Sequence, residues 1–474
     1  MYRTRPRLLF LSLLSTAMLA AWANTAALAQ IAISANDAKV VNVNGTNTTV
    51  ENPPPDHATI LDLGASPPKV LGQVNLGASV VGVPQSVAIS PDESIALATA
   101  ATKLDPADPK KIIDDNKVAV IDLKASPPAV IATVEVGLGP SGVSFSPDGK
   151  LALVANRAGG TVSVLSISGK TVTVTGTIDF GNPKSGPSGV VFLPDGKRAI
   201  LTRDGDHRVS VLAVDGDKVT DTKQFMVGGF RPYSLSISSK GDVAVFGNQG
   251  GGQGDADIIT VVDLKQNPPR VVDSFAVGQT PEGVYLSPDG GYAAVTVMNG
   301  SNRAKSHQAF NDHGLLKIYR IEGTKLTFVT QAKVGRWGQG AAWSRDGKTI
   351  VFQAMIEQEL QVLSFDGKEL KMTSTIKVNG GPACREIGLR GVPVCGCRVG
   401  APFGYRHASL RIGHNDATSS RAMPTLTTRT VRGLVSRRRS PVPKPSQVAQ
   451  ESVPSAVNSA AISTTLTGNA ATAA

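Results

Sequence analysis

One short phrase recurs seven times along this 474-residue chain: an apolar run ending in Ser, a tight turn, and a second β-rich run. It starts at Ile31 (IAIS-AND-AKVV), Val87 (VAIS-PDE-SIAL), Val143 (VSFS-PDG-KLAL) and Val190 (VVFL-PDG-KRAI). It returns at Leu235 (LSIS-SKG-DVAV), Val284 (VYLS-PDG-GYAA) and Ala341 (AAWS-RDG-KTIV). Successive starts lie 45 to 57 residues apart. A unit of that length cannot bury its own apolar face and must stack on its neighbours. In the copy spanning 140–181, four β-prone runs fill the period, at 142–146, 150–155, 161–167 and 171–178. Pro147 presets an early turn position and Gly149 supplies the positive φ that closes it. Four strands per repeat and seven repeats predict an all-β fold, a seven-bladed β-propeller of four-stranded antiparallel blades.

A second phrase checks that register. ILDLGASPPKV from Ile60, VIDLKASPPAV from Val120 and VVDLKQNPPRV from Val261 each read as a third strand turning into a fourth. Proline pairs suit that outer turn because they discourage extension of an exposed sheet edge.

The two ends differ from the body. Residues 1–29 carry three arginines, an apolar stretch and a small-residue site, Ala27-Leu28-Ala29, the pattern of a cleaved secretory signal. That predicts a periplasmic or otherwise exported protein with no membrane span after cleavage. The net charge of +11 sits in the ends. Residues 1–29 carry +3 and 384–474 carry +9, which leaves about −1 on the repeats and no basic face for nucleic acid. Residues 384–474 hold eleven Arg, one Lys and all three cysteines, Cys384, Cys395 and Cys397, with no copy of the phrase. They read as a disordered tail, Arg-rich and then rich in Ser, Ala and Thr, whose abrupt onset is what a shifted reading frame would produce. The C-x-C spacing matches no common zinc pattern. The expected domains are a signal peptide (1–29), a propeller (31–383) closed by its own seven repeats with blade 7 ending near Val378, and a tail (384–474) dispensable for closure.

The stretch G-x-x-P-x-G-V-x-x-S-P-D-G at 137–149, followed by Val154-Ala155-Asn156, resembles the YVTN-type β-propeller repeat family of exported bacterial proteins. The resemblance covers 31–383 and implies the seven-bladed fold. It implies no particular reaction, because members share the blade rather than a chemistry; the family is distantly lactonase-like. The copies at Val190 and Leu235 depart from its pattern, with Leu193 in place of Ser and Ser239-Lys240-Gly241 in place of Pro-Asp-Gly.

Function is expected on the face opposite the tight turns. Long insertions at 44–57, 102–116, 248–257 and 298–314 all fall there, and loops on a rigid scaffold are where binding groups concentrate. The central channel opens on the same face. Its mouth is expected to carry Asn156, Arg157, Arg203, Asp204, Arg231, Tyr233, Asn248, Glu282, Asn299 and Gln339, with Gln85, Ser141, Ser188 and Gln353 beside them. That amide-rich, mixed-charge ring suits a protein, peptide or small polar ligand. The leading expectation is a monomeric, non-catalytic binding module without cofactor. The alternative is a lactonase-type hydrolase in the channel. One form of it would hold a divalent metal such as calcium on Glu282 with Asn156, Asn248 or Asp204. Another would use a mouth of His and Arg, for which the repeat body offers His57, His207, His307 and His313. A G-x-S-x-G elbow and a C-x-x-C-H haem motif are both absent from the sequence.

Overall fold

The computed structural model describes residues 30–387. The expected signal peptide, and the expected tail from 388 onward, lie outside the described residues. Seven four-stranded antiparallel sheets form the described body. Blade 3 shows the plan: Pro140–Phe145 innermost, then Leu151–Asn156, Thr161–Ser168 and Thr171–Asp179 at the rim. Second strands are buried on both faces because they are sandwiched between blades. In blade 3, Leu153 packs with Phe192, Leu201 and Leu212 on the blade 4 side. Its neighbours Ala152 and Val154 pack with Leu97, Val118 and Val120 of blade 2. Period-two alternation here separates two apolar faces, so the strand reads as a continuous apolar run.

The recurring Ser and Asp build the tight turn. Ser146 Oγ donates to Asp148 Oδ1 at 2.6 Å and accepts the Leu151 N–H at 2.9 Å, and Asp148 Oδ1 accepts the Lys150 N–H at 3.1 Å. Gly149 closes the turn at φ +72°. Ser287 with Asp289 and Ser344 with Asp346 repeat the arrangement. The proline-pair turns also fall as expected, between third and fourth strands in blades 1, 2 and 5, and each contains a cis peptide bond at its first proline.

Blade 1 departs from the sequence reading. Ile31–Asp37 is one unbroken strand, so the AND segment is not a turn and the first copy of the phrase is not a hairpin. The innermost strand of that blade is Gly381–Ile387, paired with Ile31–Asp37 in the register Ala35↔Cys384 and Ile33↔Glu386. The ring is therefore closed by joining the two ends of the repeat region in one sheet. The closing strand passes the expected boundary at 383 by four residues, and it corrects the view that everything from 384 is dispensable. A lone three-stranded blade 1 would have left its inner edge unpaired, which a seven-bladed ring cannot bury.

The long insertions sit together on one face. Two of them fold as hairpins, Val40–Val43 with Thr46–Thr49 and Thr102–Asp105 with Asp108–Asp114. Thr49 Oγ1 donates to the Lys110 carbonyl at 3.2 Å, Asn42 Nδ2 to Asn302 O at 3.2 Å, and Arg303 Nη2 to Gly252 O at 2.7 Å. The insertions of blades 1, 2, 5 and 6 thus bond to one another as a cap, whereas blades 3 and 4 carry only short connections there. Beneath the blade 1 hairpin, Lys39 Nζ lies 2.8 Å from Asp56 and 3.2 Å from Asp37. Burial, reinforced by Asp56, pushes the Asp37 carboxyl up to about 6 against the pull of Lys39.

The channel is not open from end to end. Gln85 of blade 2 donates through Nε2 to Leu235 O at 2.7 Å and accepts the Leu235 N–H at 3.2 Å, both in blade 5. Tyr285 Oη of blade 6 donates to Pro84 O at 2.9 Å. A segment of blade 2 that bonds directly to blades 5 and 6 must cross the axis of the ring. Gly189 makes room for it, since a Cβ there would lie 2.7 Å from Gln85 Oε1.

Candidate functional site

Above that crossing, two repeated positions face each other. One is the residue after the proline that opens each inner strand: Ser141, Ser188, Tyr233 and Glu282 in blades 3 to 6. The other is the residue just past each second strand: Arg157, Asp204 and Gln249 in blades 3 to 5. The propeller repeat places these positions at the same depth, so one substitution per blade decides the chemistry of the mouth.

Asp204 is the hub. It accepts from Arg157 Nε at 3.2 Å and Nη2 at 2.6 Å, and from Ser188 Oγ at 3.0 Å, with Arg231 Nη2 at 3.7 Å. The bidentate geometry fixes the plane of the Arg157 guanidinium, which also lies 5.9 Å over the Tyr233 ring. Arg231 Nη2 donates to Gln249 Oε1 at 2.9 Å, and Gln249 Nε2 donates to Glu282 Oε2 at 2.6 Å. Gln249 thus bridges a cation and a carboxylate and has its amide orientation set by both.

Glu282 is 2% exposed. Burial pushes its carboxyl up to about 7, against the opposing pull of Gln249, Arg231 and Arg157. Burial also raises the Tyr233 phenol, and Glu282 raises it further. Burial alone would lower Arg157, but Tyr233, Asp204 and Glu282 hold it above its ordinary value. The Arg157 and Arg231 side chains stay 32% and 35% exposed, so they form the wet side of a site whose acids are buried.

Five of the ten expected mouth residues meet here: Arg157, Asp204, Arg231, Tyr233 and Glu282. The others are committed elsewhere. Asn156 Nδ2 is held by Thr161 and Ser163, and Asn248 Nδ2 by Thr260 and Ile258, each within its own blade. Arg203 turns away to Ser185, Ser210 and Asp206 and stacks 4.1 Å over Phe180. Asn299 Nδ2 donates to His313 O within the blade 6 insertion. The Gln339 amide fits its neighbours with its nitrogen toward Ala383 O (3.3 Å) and its oxygen toward Trp337 Nε1 (2.7 Å). Gln353 joins blade 7 to Ser34 and Cys384 of blade 1. Gln249 was missed, although it stands in the same register as Arg157 and Asp204.

The donor set of the metal-holding version is only partly available. Both Asp204 oxygens are engaged, and the Nδ2 groups of Asn156 and Asn248 are tied to third strands, whereas their buried Oδ1 atoms accept no hydrogen bond. Among the described residues no group of three or more His, Cys, Asp or Glu side chains lies together. Among the histidines, His207 accepts the Arg231 N–H and packs 4.1 Å from Phe230, while His307 and His313 bond within the blade 6 insertion.

The seven-bladed propeller so defined carries a sequence match to the family described as lactonase, 7-bladed beta-propeller, over residues 113–280. That span contains Asn156 to Asn248 and ends at Thr280, just short of Glu282. Solved structures extend the likeness to the whole body. The periplasmic gluconolactonase of Pseudomonas aeruginosa has a TM-score of 0.57 at 17% identity, covering 76% of this chain and 99% of that one. A candidate 6-phosphogluconolactonase from Bacteroides fragilis has a TM-score of 0.58 at 16% identity, covering 76% and 98%. A protein of unknown function from Desulfotomaculum acetoxidans has a TM-score of 0.55 at 18% identity, over the same shares. At these identities the likeness is one of fold. No curated protein matches the chain in sequence. Among the described residues no helix is long and apolar enough to cross a membrane.

Proposed function

We propose that this protein is an exported, metal-independent lactone hydrolase whose reacting centre is the Glu282 cluster. The observation that carries the reading is a buried carboxylate poised near pH 7, held by one hydrogen bond to Gln249 and flanked by two part-exposed guanidiniums. A base is most effective when its pKa lies near the working pH. In this reading Glu282 takes a proton from water as the water oxygen bonds to the lactone carbonyl carbon. The negative charge that develops on the carbonyl oxygen faces Arg157 and Arg231, whose positions Asp204 and Gln249 have already set. The ring C–O bond then breaks, and the departing alkoxide takes the proton from Glu282, giving a hydroxy acid. The cap of bonded insertions would shelter one side of the mouth and leave the approach over blades 3 and 4. A lactone panel assayed with EDTA tests this directly. Hydrolysis that persists in chelator and is lost in Glu282→Gln supports it; no turnover of any lactone, or an active variant, overturns it.

A further inference from the structure

The charge at the mouth is balanced within the protein. Arg157 is spent on Asp204, and Arg231 is shared between Gln249 and Asp204 and lies in the field of Glu282. With Glu282 ionised, two guanidiniums meet two carboxylates and no cationic charge is left over. Arg203, a third guanidinium at the same end of blade 4, is paired with Asp206. A doubly charged phosphate would thus arrive without a surplus cation to meet it.

Beside the two guanidiniums, the rim carries exposed apolar side chains. Phe230, 51% exposed, immediately precedes Arg231 and accepts the Gly250 N–H beside Gln249. Leu138, 53% exposed, precedes Gly139, whose carbonyl accepts the Arg157 N–H at 2.8 Å. Val81, 37% exposed, precedes Gly82, where a Cβ would lie 2.8 Å from Ser141 Oγ, the blade 3 counterpart of Tyr233 and Glu282. Three large apolar side chains thus stand in water, each one residue from a segment that holds the mouth. Exposed apolar groups bordering a polar site mark what that site binds.

We infer that the substrate is an uncharged lactone carrying an alkyl or aryl substituent, with the ring at Glu282 and the substituent on the Phe230–Leu138–Val81 rim. This rests on the hydrolase reading above. The test compares δ-decalactone, glucono-δ-lactone and 6-phosphogluconolactone as substrates, and measures binding of 2-pentylcyclopentanone, a ring ketone that cannot be hydrolysed. The expected kcat/KM for δ-decalactone is at least tenfold above the other two. Phe230→Ser with Leu138→Ser should cut that preference about tenfold through the KM of δ-decalactone and should weaken ketone binding by a similar factor. Preference for the phosphorylated lactone, or a double variant that binds the ketone as wild type does, overturns the inference. Rim-dependent ketone binding without hydrolysis of any lactone would instead retain the specificity and refute the hydrolase.

Discussion

Replacing Glu282 by Gln should make the protein more stable at alkaline pH while abolishing its proposed activity. The folded state holds this carboxyl at about 7, against 4.5 for the free side chain. An acid whose pKa is raised on folding favours the folded state only while protonated, so its contribution declines as pH rises from about 4.5 to about 7. A rise of that size corresponds to roughly 3 kcal/mol. The substituted amide keeps an oxygen for Gln249 and carries no charge to desolvate. Urea unfolding of both proteins at pH 4.5 and pH 8 measures the effect. The two should have similar stability at the lower pH, and the variant should be more stable by up to about 3 kcal/mol at the higher one. Asp37, also raised by burial, contributes equally to both proteins and drops out of the difference. Parallel pH dependence in the two proteins would show that Glu282 titrates normally, and the general-base assignment would fall with it.

Gln249→Leu removes the hydrogen bond that holds the Glu282 pKa down, so the acidic limb of the pH–rate profile should move to higher pH and kcat/KM should fall; an unmoved limb counts against the bridge. Asp204→Asn leaves the Arg157 guanidinium without its carboxylate. It should cost on the order of 2–3 kcal/mol in unfolding free energy, less than for a wholly buried pair because Arg157 is part-exposed. Ending the chain at residue 380 removes the closing strand, and thermal melting followed by circular dichroism should show a large loss of stability; ending it at 398 should leave the melting temperature unchanged. If both truncations melt alike, the strand pairing at Ala35↔Cys384 is not what closes the ring.

Much of the architecture is legible in the chain because it is local. Ser146, Asp148 and Gly149 encode their turn within six residues, and the proline pairs mark their outer turns in the same way. The inner-strand openings and second-strand ends follow from the repeat too, which is why Tyr233 and Glu282, and Arg157 and Asp204, could be placed at the mouth beforehand. Asn156 and Arg203 occupy equally plausible positions, but whether a polar side chain turns to the axis or into its own blade depends on which hydroxyls lie nearby. Thr161 and Ser163 claim the first; Ser185 and Asp206 claim the second. Repeat counting misread Ile31, because a β-rich run ending in Ser has the same composition whether it is a first strand or a second.

By itself, then, the sequence determined that there are seven blades, where their turns lie and which face carries the insertions. These follow from short-range turn chemistry and from the need of each repeat to bury both faces. The tertiary structure alone decided that the ring closes through Gly381–Ile387 and that Gln85 crosses the axis. It also decided that Gln249 joins Arg231 to Glu282. Each of those depends on groups from different strands, up to 150 residues apart for Gln85 and Leu235 and farther still for the closing strand. No period within a blade specifies which of them will meet.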